Sequence, residues 1–187
     1  MKKQIAAASE TPRARLTGVI YLLYFLTAII AQVLGQHKFN TWSNAINLVS
    51  FALYLALAAL FYLLFRPVNW VVSFVAAIVS TIGCLIGAVA LFYTPASQIS
   101  PLWFFGPYCL LIGYLIIRST FLPRILGLLM VLAGAGWLTF LTPLGKYVTL
   151  YIEILGVLAE ASLMLWLIVK GVKVGRWNEQ AAITDGG

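Results

Sequence analysis

The stretch 150-LYIEILGVLAEASLMLWLIVKGV-172 is almost wholly apolar and is about as long as one bilayer crossing. It carries two acids, and the second, Glu160, lies near its middle, about 15 Å from either end at about 1.5 Å per residue. A carboxylate at that depth is costly unless it is protonated or partnered. The stretch therefore predicts a membrane helix with Glu160 as the first candidate for a functional side chain.

The composition of the whole chain agrees with a membrane location. Of its 187 residues, 63% are hydrophobic and 9% are charged, whereas a soluble domain averages about 45–50% apolar and about 25% charged residues. The net charge of +7 comes from residues at helix ends, without a basic patch interleaved with aromatic residues. We therefore expect no nucleic-acid partner and no additional soluble domain.

The apolar segments predict an all-α bundle of six transmembrane helices with short loops. The predicted helices span residues 17–35, 44–65, 70–93, 102–117, 125–141 and 150–172, between a tail at 1–16 and a tail at 173–187. The third and fifth helices carry small residues at helical spacing, which should face the interior: Ala76, Ser80, Gly83, Gly87, Ala90, Gly127 and Gly134. An aromatic belt is predicted at one interface from Trp103, Phe104, Phe105 and Tyr108.

The basic residues predict the orientation. With six crossings, ten Lys and Arg residues fall on the side of the two termini, and only Lys38 and Lys146 fall on the other side. Because cytoplasmic loops are enriched in Lys and Arg, we expect both termini to be cytoplasmic.

The inventory of reactive side chains excludes several classes of site. The only histidine is His37, in an outer loop, so ligands for a haem, a di-iron centre or a zinc ion are missing. Phosphate-binding glycine loops are absent, and the only aspartate is Asp185 in the tail. Cys84 and Cys109 are interpreted as small buried hydrophobes, with a disulfide between them as the alternative. We expect no catalytic residue, metal or cofactor.

Glu153 and Glu160 are seven residues apart and therefore share a helix face, roughly 10 Å apart along the axis. Gly156 lies between them and leaves room for a neighbour or a small ligand. No basic residue is predicted at the depth of Glu160, so we expect its carboxyl group to be protonated and neutral at neutral pH. Its function would then be a proton-binding step or the anchoring of a lipid-like ligand. The predicted partners are hydroxyl groups near the midplane: Tyr24, Tyr54, Ser80 and Thr81. Alternatively, Glu160 only joins helices through hydrogen bonds.

A second candidate site lies at the cytoplasmic ends of the helices. Arg118 and Arg124 flank the turn between helices 4 and 5, and Lys170 ends helix 6. These cations can bind a lipid headgroup or phosphate, or they can serve only to fix the topology.

Several runs resemble a known family. These are GYLIIRSTFLPRILGLLMVLAGAGWL from Gly113 to Leu138, EASLMLWLIVKGV from Glu160 to Val172, and the shorter runs RLTG at 15–18 and LFRPV at 64–68. Together they resemble the bacterial membrane family catalogued as domain of unknown function 4386. The resemblance implies a multi-pass protein of the bacterial inner membrane with about six helices. It implies no established activity, substrate or catalytic residue.

Three functions remain open at this point. The favoured one is a non-enzymatic membrane protein that binds a membrane lipid, a lipid-like ligand or a membrane-protein partner, with a homo-oligomer included. The second is a small proton-coupled transporter or channel that uses Glu160. The third, an enzyme acting on a lipid, is disfavoured by the missing acid–base and metal-binding groups.

Overall fold

The structure is a computed structural model that describes residues 2–93 and 102–184, with side chains from Arg13 onward except those of Leu102 and Lys146. Within these ranges the chain forms α-helices and one 3₁₀ turn, and no strand. The helices are α1 (Lys2–Gln36), α2 (Asn40–Phe65), α3 (Trp70–Ala90), α4 (Leu102–Arg118), α5 (Arg124–Leu138), α6 (Gly145–Val169) and α7 (Val174–Thr184); the 3₁₀ turn Thr139–Leu141 follows α5. The predicted all-α class is confirmed.

Five of the described helices are long and apolar enough to cross a bilayer. These segments are Arg13–Gln36, Asn40–Phe65, Trp70–Ala90, Arg124–Leu141 and Tyr147–Val169. The apolar part of α4, Trp103–Arg118, is shorter, and Pro107 lies inside it. The protein is therefore a multi-pass membrane protein with five candidate spans, and a sixth crossing would have to be made by α4.

The helices pack as a closed ring in chain order. Each of α1 to α5 contacts the next helix, and α6 returns to contact α1. Helix α7 packs against α1 outside this ring. Because the ring is closed, all six helices turn one face toward a common interior. Polar side chains from distant parts of the sequence can meet in that interior.

Glycines bring α4 and α5 close together. A Cβ atom at Gly127 would lie 2.7 Å from the Gly113 carbonyl oxygen, and one at Gly134 would lie 2.9 Å from that of Gly106. Small residues allow such approach where lipid supplies no hydrophobic drive between helices. The inward faces are observed for six of the seven predicted residues, because Ala76, Ser80, Gly83 and Gly87 of α3 and Gly127 and Gly134 of α5 are buried. The seventh, Ala90, is only partly buried.

Local sequence explains several helix ends. The Asn69 side chain caps α3 by accepting a hydrogen bond from the Val72 amide at 3.0 Å. Gly171, with a φ of 66°, follows α6 in a left-handed conformation that glycine adopts readily.

The helix boundaries differ from the prediction at both ends of the chain. Most residues of the predicted N-terminal tail continue α1, and the predicted C-terminal tail contains α7. Helix α6 starts at Gly145, five residues before the predicted start. Propensity and hydropathy locate the apolar centre of a helix, whereas helical hydrogen bonding continues through polar flanks that hydropathy assigns to tails.

Candidate functional site

The ring encloses a cavity of about 470 Å³ to which all six helices contribute. Glu160 lies in its wall and is buried. The other residues that line the cavity are mainly aromatic or small: Tyr24, Phe25, Ala28, Ile29, Gln32, Phe51, Tyr54, Ser80, Gly83, Cys84, Phe104, Phe105, Tyr108, Trp137, Glu153 and Val157. This partly open, mostly apolar space with a few polar groups has the character of a ligand site.

Glu160 is held by a tyrosine of the first helix. The hydroxyl of Tyr21 donates a hydrogen bond to Glu160 Oε2 at 2.8 Å, and both residues are buried. The bond joins α1 to α6, two helices that are neighbours in the ring but distant in sequence. It supplies the polar partner that a buried acid requires.

The four predicted partners of Glu160 are placed differently. Tyr24, Tyr54 and Ser80 line the same cavity as Glu160, but the hydrogen bond comes from Tyr21. Thr81 donates to the Ala77 carbonyl of its own helix at 2.8 Å. Glu160 is 13 residues from the start of its apolar segment at Tyr147 and nine from its end at Val169. It therefore lies closer to the C-terminal end of α6 than the predicted middle position. The sequence feature that could have identified Tyr21 as the partner is its position one turn before Tyr24 on the same face of α1.

Four polar atoms of the cavity wall are buried and have no hydrogen-bond partner within the described ranges. They are Tyr54 Oη, Ser80 Oγ, Tyr108 Oη and Trp137 Nε1. Buried polar groups are nearly always hydrogen-bonded in native proteins, so such a cluster around one cavity demands an explanation. The arrangement can bind a polar group of a ligand from several sides.

Aromatic rings connect these polar atoms. The ring centroids of Tyr24 and Tyr54 are 4.7 Å apart, those of Tyr54 and Tyr108 are 5.7 Å apart, and those of Phe105 and Trp137 are 5.3 Å apart. Tyr108 is buried, so it belongs to this inner cluster and not to the predicted interfacial belt. Pairs of this kind are favourable beyond their buried area.

Gly156 makes room for one of the rings. A Cβ atom at Gly156 would lie 2.8 Å from Cζ2 of Trp137 and 3.0 Å from its Nε1. The space predicted beside Gly156 is therefore occupied by a neighbour, the indole of α5.

The cavity opens between α1 and α6. Ile29, Gln32, Glu153 and Val157 line the cavity and are also exposed on the outside of the bundle. Towards the other end the two helices are in close contact, because a Cβ atom at Gly18 would lie 2.8 Å from the Ile168 amide nitrogen. The opening thus faces sideways, and Glu153 lies at its mouth while Glu160 lies deeper.

The predicted headgroup residues lie at the opposite end from this mouth. Arg118, Arg124 and Lys170 are exposed at the ends of α4, α5 and α6. A second cavity at that end, of about 630 Å³, is instead lined by Arg13 and Arg66, two cations that the sequence placed on the cytoplasmic side but did not predict to share a site. Helix α7 borders it: Trp177 Nε1 donates to the Leu64 carbonyl at 2.9 Å, and Thr184 donates to that of Pro67 at 2.8 Å.

The cysteines and acids do not assemble into a metal site in the part of the chain that the structure describes. Cys84 and Cys109 are free thiols, and both are buried. Their interpretation as small buried hydrophobes fits this placement, and the alternative disulfide is not formed.

Comparison with protein families gives one match. Residues 95–171 match the family described as Domain of unknown function (DUF4386). The resemblance predicted from the sequence is confirmed over this segment. The DUF4386 segment contains α4, α5 and α6, and therefore Tyr108, Trp137 and both acids, whereas α1 to α3 lie before it. No curated protein matches the chain, and no solved structure matches it either.

Proposed function

We propose that this protein is a non-enzymatic integral membrane protein that binds a lipid-like ligand in the cavity of its helix ring. The observation that carries the proposal is the opening between α1 and α6, which connects buried unpartnered polar groups with the outer surface of the bundle. A ligand with an apolar chain and a polar head matches both parts of this site.

The size and lining of the cavity support this function. Its volume of about 470 Å³ falls within the range of about 300–1,000 Å³ that is usual for small-molecule sites. Ile29 and Val157 at the mouth are apolar and about half exposed, which suits contact with an acyl chain. Tyr54, Tyr108 and Ser80 within the cavity suit the polar head.

We place the protein in the bacterial inner membrane with six crossings and both termini in the cytoplasm. Helix α4 has 17 residues and extends about 26 Å at about 1.5 Å per residue, close to a hydrocarbon core of about 30 Å. The start of α1 lies beside the end of α6, where a Cβ atom at Gly18 would lie 2.8 Å from the Ile168 amide nitrogen, and α7 docks beside Leu64 and Pro67; both features favour an even number of crossings. Arg118, Arg124 and Lys170 would then lie at the cytoplasmic headgroups and bind phosphate.

The test blocks the mouth of the cavity. Val157→Trp places a bulky ring at an exposed position that lines the cavity, so the fold should be kept. Native mass spectrometry of protein extracted from membranes should show a co-purifying lipid-like molecule in the natural protein and less of it in the variant. Leu158→Trp is the matched control, since Leu158 is equally exposed but does not line the cavity. Equal ligand in both variants, or none in the natural protein, would contradict the proposal.

A second candidate function is a small proton-coupled transporter or channel that uses Glu160. It is favoured by the position of Glu160, a buried acid that lines a cavity open to the outside of the bundle. Six helices would then be expected to work as a homo-oligomer. Proton uptake into liposomes that contain the protein, abolished by Glu160→Gln, would support transport, whereas liposomes without uptake would leave ligand binding alone.

A further inference from the structure

The cavity contains acids without a matching base. Glu160 lies in its inner part and Glu153 at its mouth, roughly 10 Å apart along α6 at about 1.5 Å per residue. None of the described residues that line it is Lys, Arg or His. An anionic head would meet only like charge or neutral acid there, so the ionisable groups favour a cation.

The aromatic wall favours the same charge. Tyr24, Tyr54, Phe105, Tyr108 and Trp137 line the cavity and contact one another in an unbroken series. The faces of such rings carry negative electrostatic potential and attract ammonium groups, most strongly where water is excluded. This attraction does not require Glu160 and is therefore independent of the acids.

The unpartnered polar atoms of the cavity wall indicate which groups the polar head of the ligand carries. The hydroxyl oxygens of Tyr54, Ser80 and Tyr108 can accept hydrogen bonds from an N–H group, whereas Trp137 Nε1 can only donate. An ammonium group with N–H donors can bond to the hydroxyls and to an ionised Glu160, so the bound cation takes the place of the proton that we expect on Glu160 in the empty cavity. A neutral oxygen elsewhere in the head would accept from Trp137.

We propose that the ligand is an amphipathic amine: a protonated primary or secondary amine near Glu160, with a neutral oxygen close by and an apolar chain. The chain leaves the cavity past Ile29 and Val157. This inference rests on the proposed function, because it names the chemical class of ligand for the same cavity. Glu153 at the mouth attracts the cation before it reaches Glu160.

The experiment compares three ligands with one chain length and different charge. Dodecylamine (protonated at neutral pH), 1-dodecanol and dodecanoate are titrated against the protein in nanodiscs of zwitterionic lipid, and bound ligand is counted by native mass spectrometry. We expect the amine to bind at least about tenfold more tightly than the other two. Equal or tighter binding of the alcohol or the carboxylate would overturn the amine inference but leave the lipid-like ligand site intact. Binding of none of the three would contradict both.

Variants locate the preference within the cavity. Glu160→Gln should remove most of the difference between amine and alcohol, and Glu153→Gln should reduce it less. Glu179→Gln is the control, because Glu179 is an exposed acid of α7 that does not line the cavity. An unchanged preference in a folded Glu160→Gln protein would overturn the assigned contact. If that variant does not fold, the charge series on the natural protein and on Glu153→Gln still decides whether the ligand is a cation.

Discussion

At the scale of single residues, the pairing of Glu160 with Tyr21 organises the site. The sequence identified Glu160 because a carboxyl group within an apolar helix is expensive. It did not identify Tyr21, because hydropathy fixes the depth of a helix only to within about one turn. Tyr21 and Tyr24 are one turn apart on the same helix face. A small error in the predicted depth of α1 relative to α6 was therefore enough to name Tyr24 as the partner of Glu160 in place of Tyr21. The unpartnered cavity atoms depend on side-chain packing, which the sequence pattern does not contain.

Tyr21→Phe should destabilise the protein by about 1–2 kcal/mol, because it leaves a buried oxygen of Glu160 without its donor. Thermal unfolding in detergent measures the change. Tyr24→Phe is the control, since the Tyr24 hydroxyl makes no hydrogen bond to Glu160. Equal losses in both variants would show that the bond to Glu160 contributes no specific stability.

At the scale of helices, the contact between α4 and α5 is set by glycine. Gly113 and Gly127 face each other so closely that a Cβ atom on either would approach a backbone oxygen of the other within 2.8 Å. The sequence predicted that the glycine face of α5 points inward, but not which helix it meets. That choice follows from the order of helices around the ring.

Gly127→Ala should force α4 and α5 apart and reduce stability by about 1–3 kcal/mol, since the added carbon would lie 2.7 Å from the Gly113 oxygen and 2.9 Å from the Ile117 nitrogen. Gly175→Ala in α7 has nothing within 4 Å of the new carbon and should be neutral or slightly stabilising. Unfolding of both variants in detergent provides the comparison. A neutral Gly127→Ala would mean that the two helices separate without loss.

Two side chains of helix α7, Trp177 and Thr184, bind the end of α2 and the turn that follows it, and Gln180 of α7 bonds to Thr120. Trp177→Phe removes the hydrogen bond to Leu64 and should increase amide hydrogen exchange throughout α7. Trp70→Phe changes the other indole that lines the second cavity. Trp70 is exposed and its side chain makes no hydrogen bond within the described ranges, so exchange in α7 should stay as it was. Unaltered exchange in Trp177→Phe would assign the docking to other contacts.

At the scale of the whole molecule, the pattern of apolar segments was sufficient to predict the class of fold. An all-α, multi-pass membrane protein follows from long apolar segments separated by short polar turns. The number of crossings is less well determined by the sequence, because α4 is short and contains Pro107. The closed ring was not predictable, since hydropathy gives no information on which helices are neighbours.

Single cysteines test the arrangement across the membrane. Cys84 and Cys109 are buried, so a cysteine introduced at Ser9, His37 or Ala182 should dominate labelling of intact cells by a membrane-impermeant maleimide. We expect labelling at position 37 in intact cells, and labelling at positions 9 and 182 only after the membrane is permeabilised. Labelling of 9 and 182 from opposite sides would mean an odd number of crossings.

The sideways opening between α1 and α6 has a consequence for how occupancy is controlled. A molecule that reaches the cavity through the hydrocarbon dissolves in the bilayer first. The occupancy of the cavity then depends on the mole fraction of the molecule in the lipid and not on its molarity in the buffer. Lengthening an alkyl tail would then raise apparent potency through partitioning, even if every contact inside the protein stayed the same.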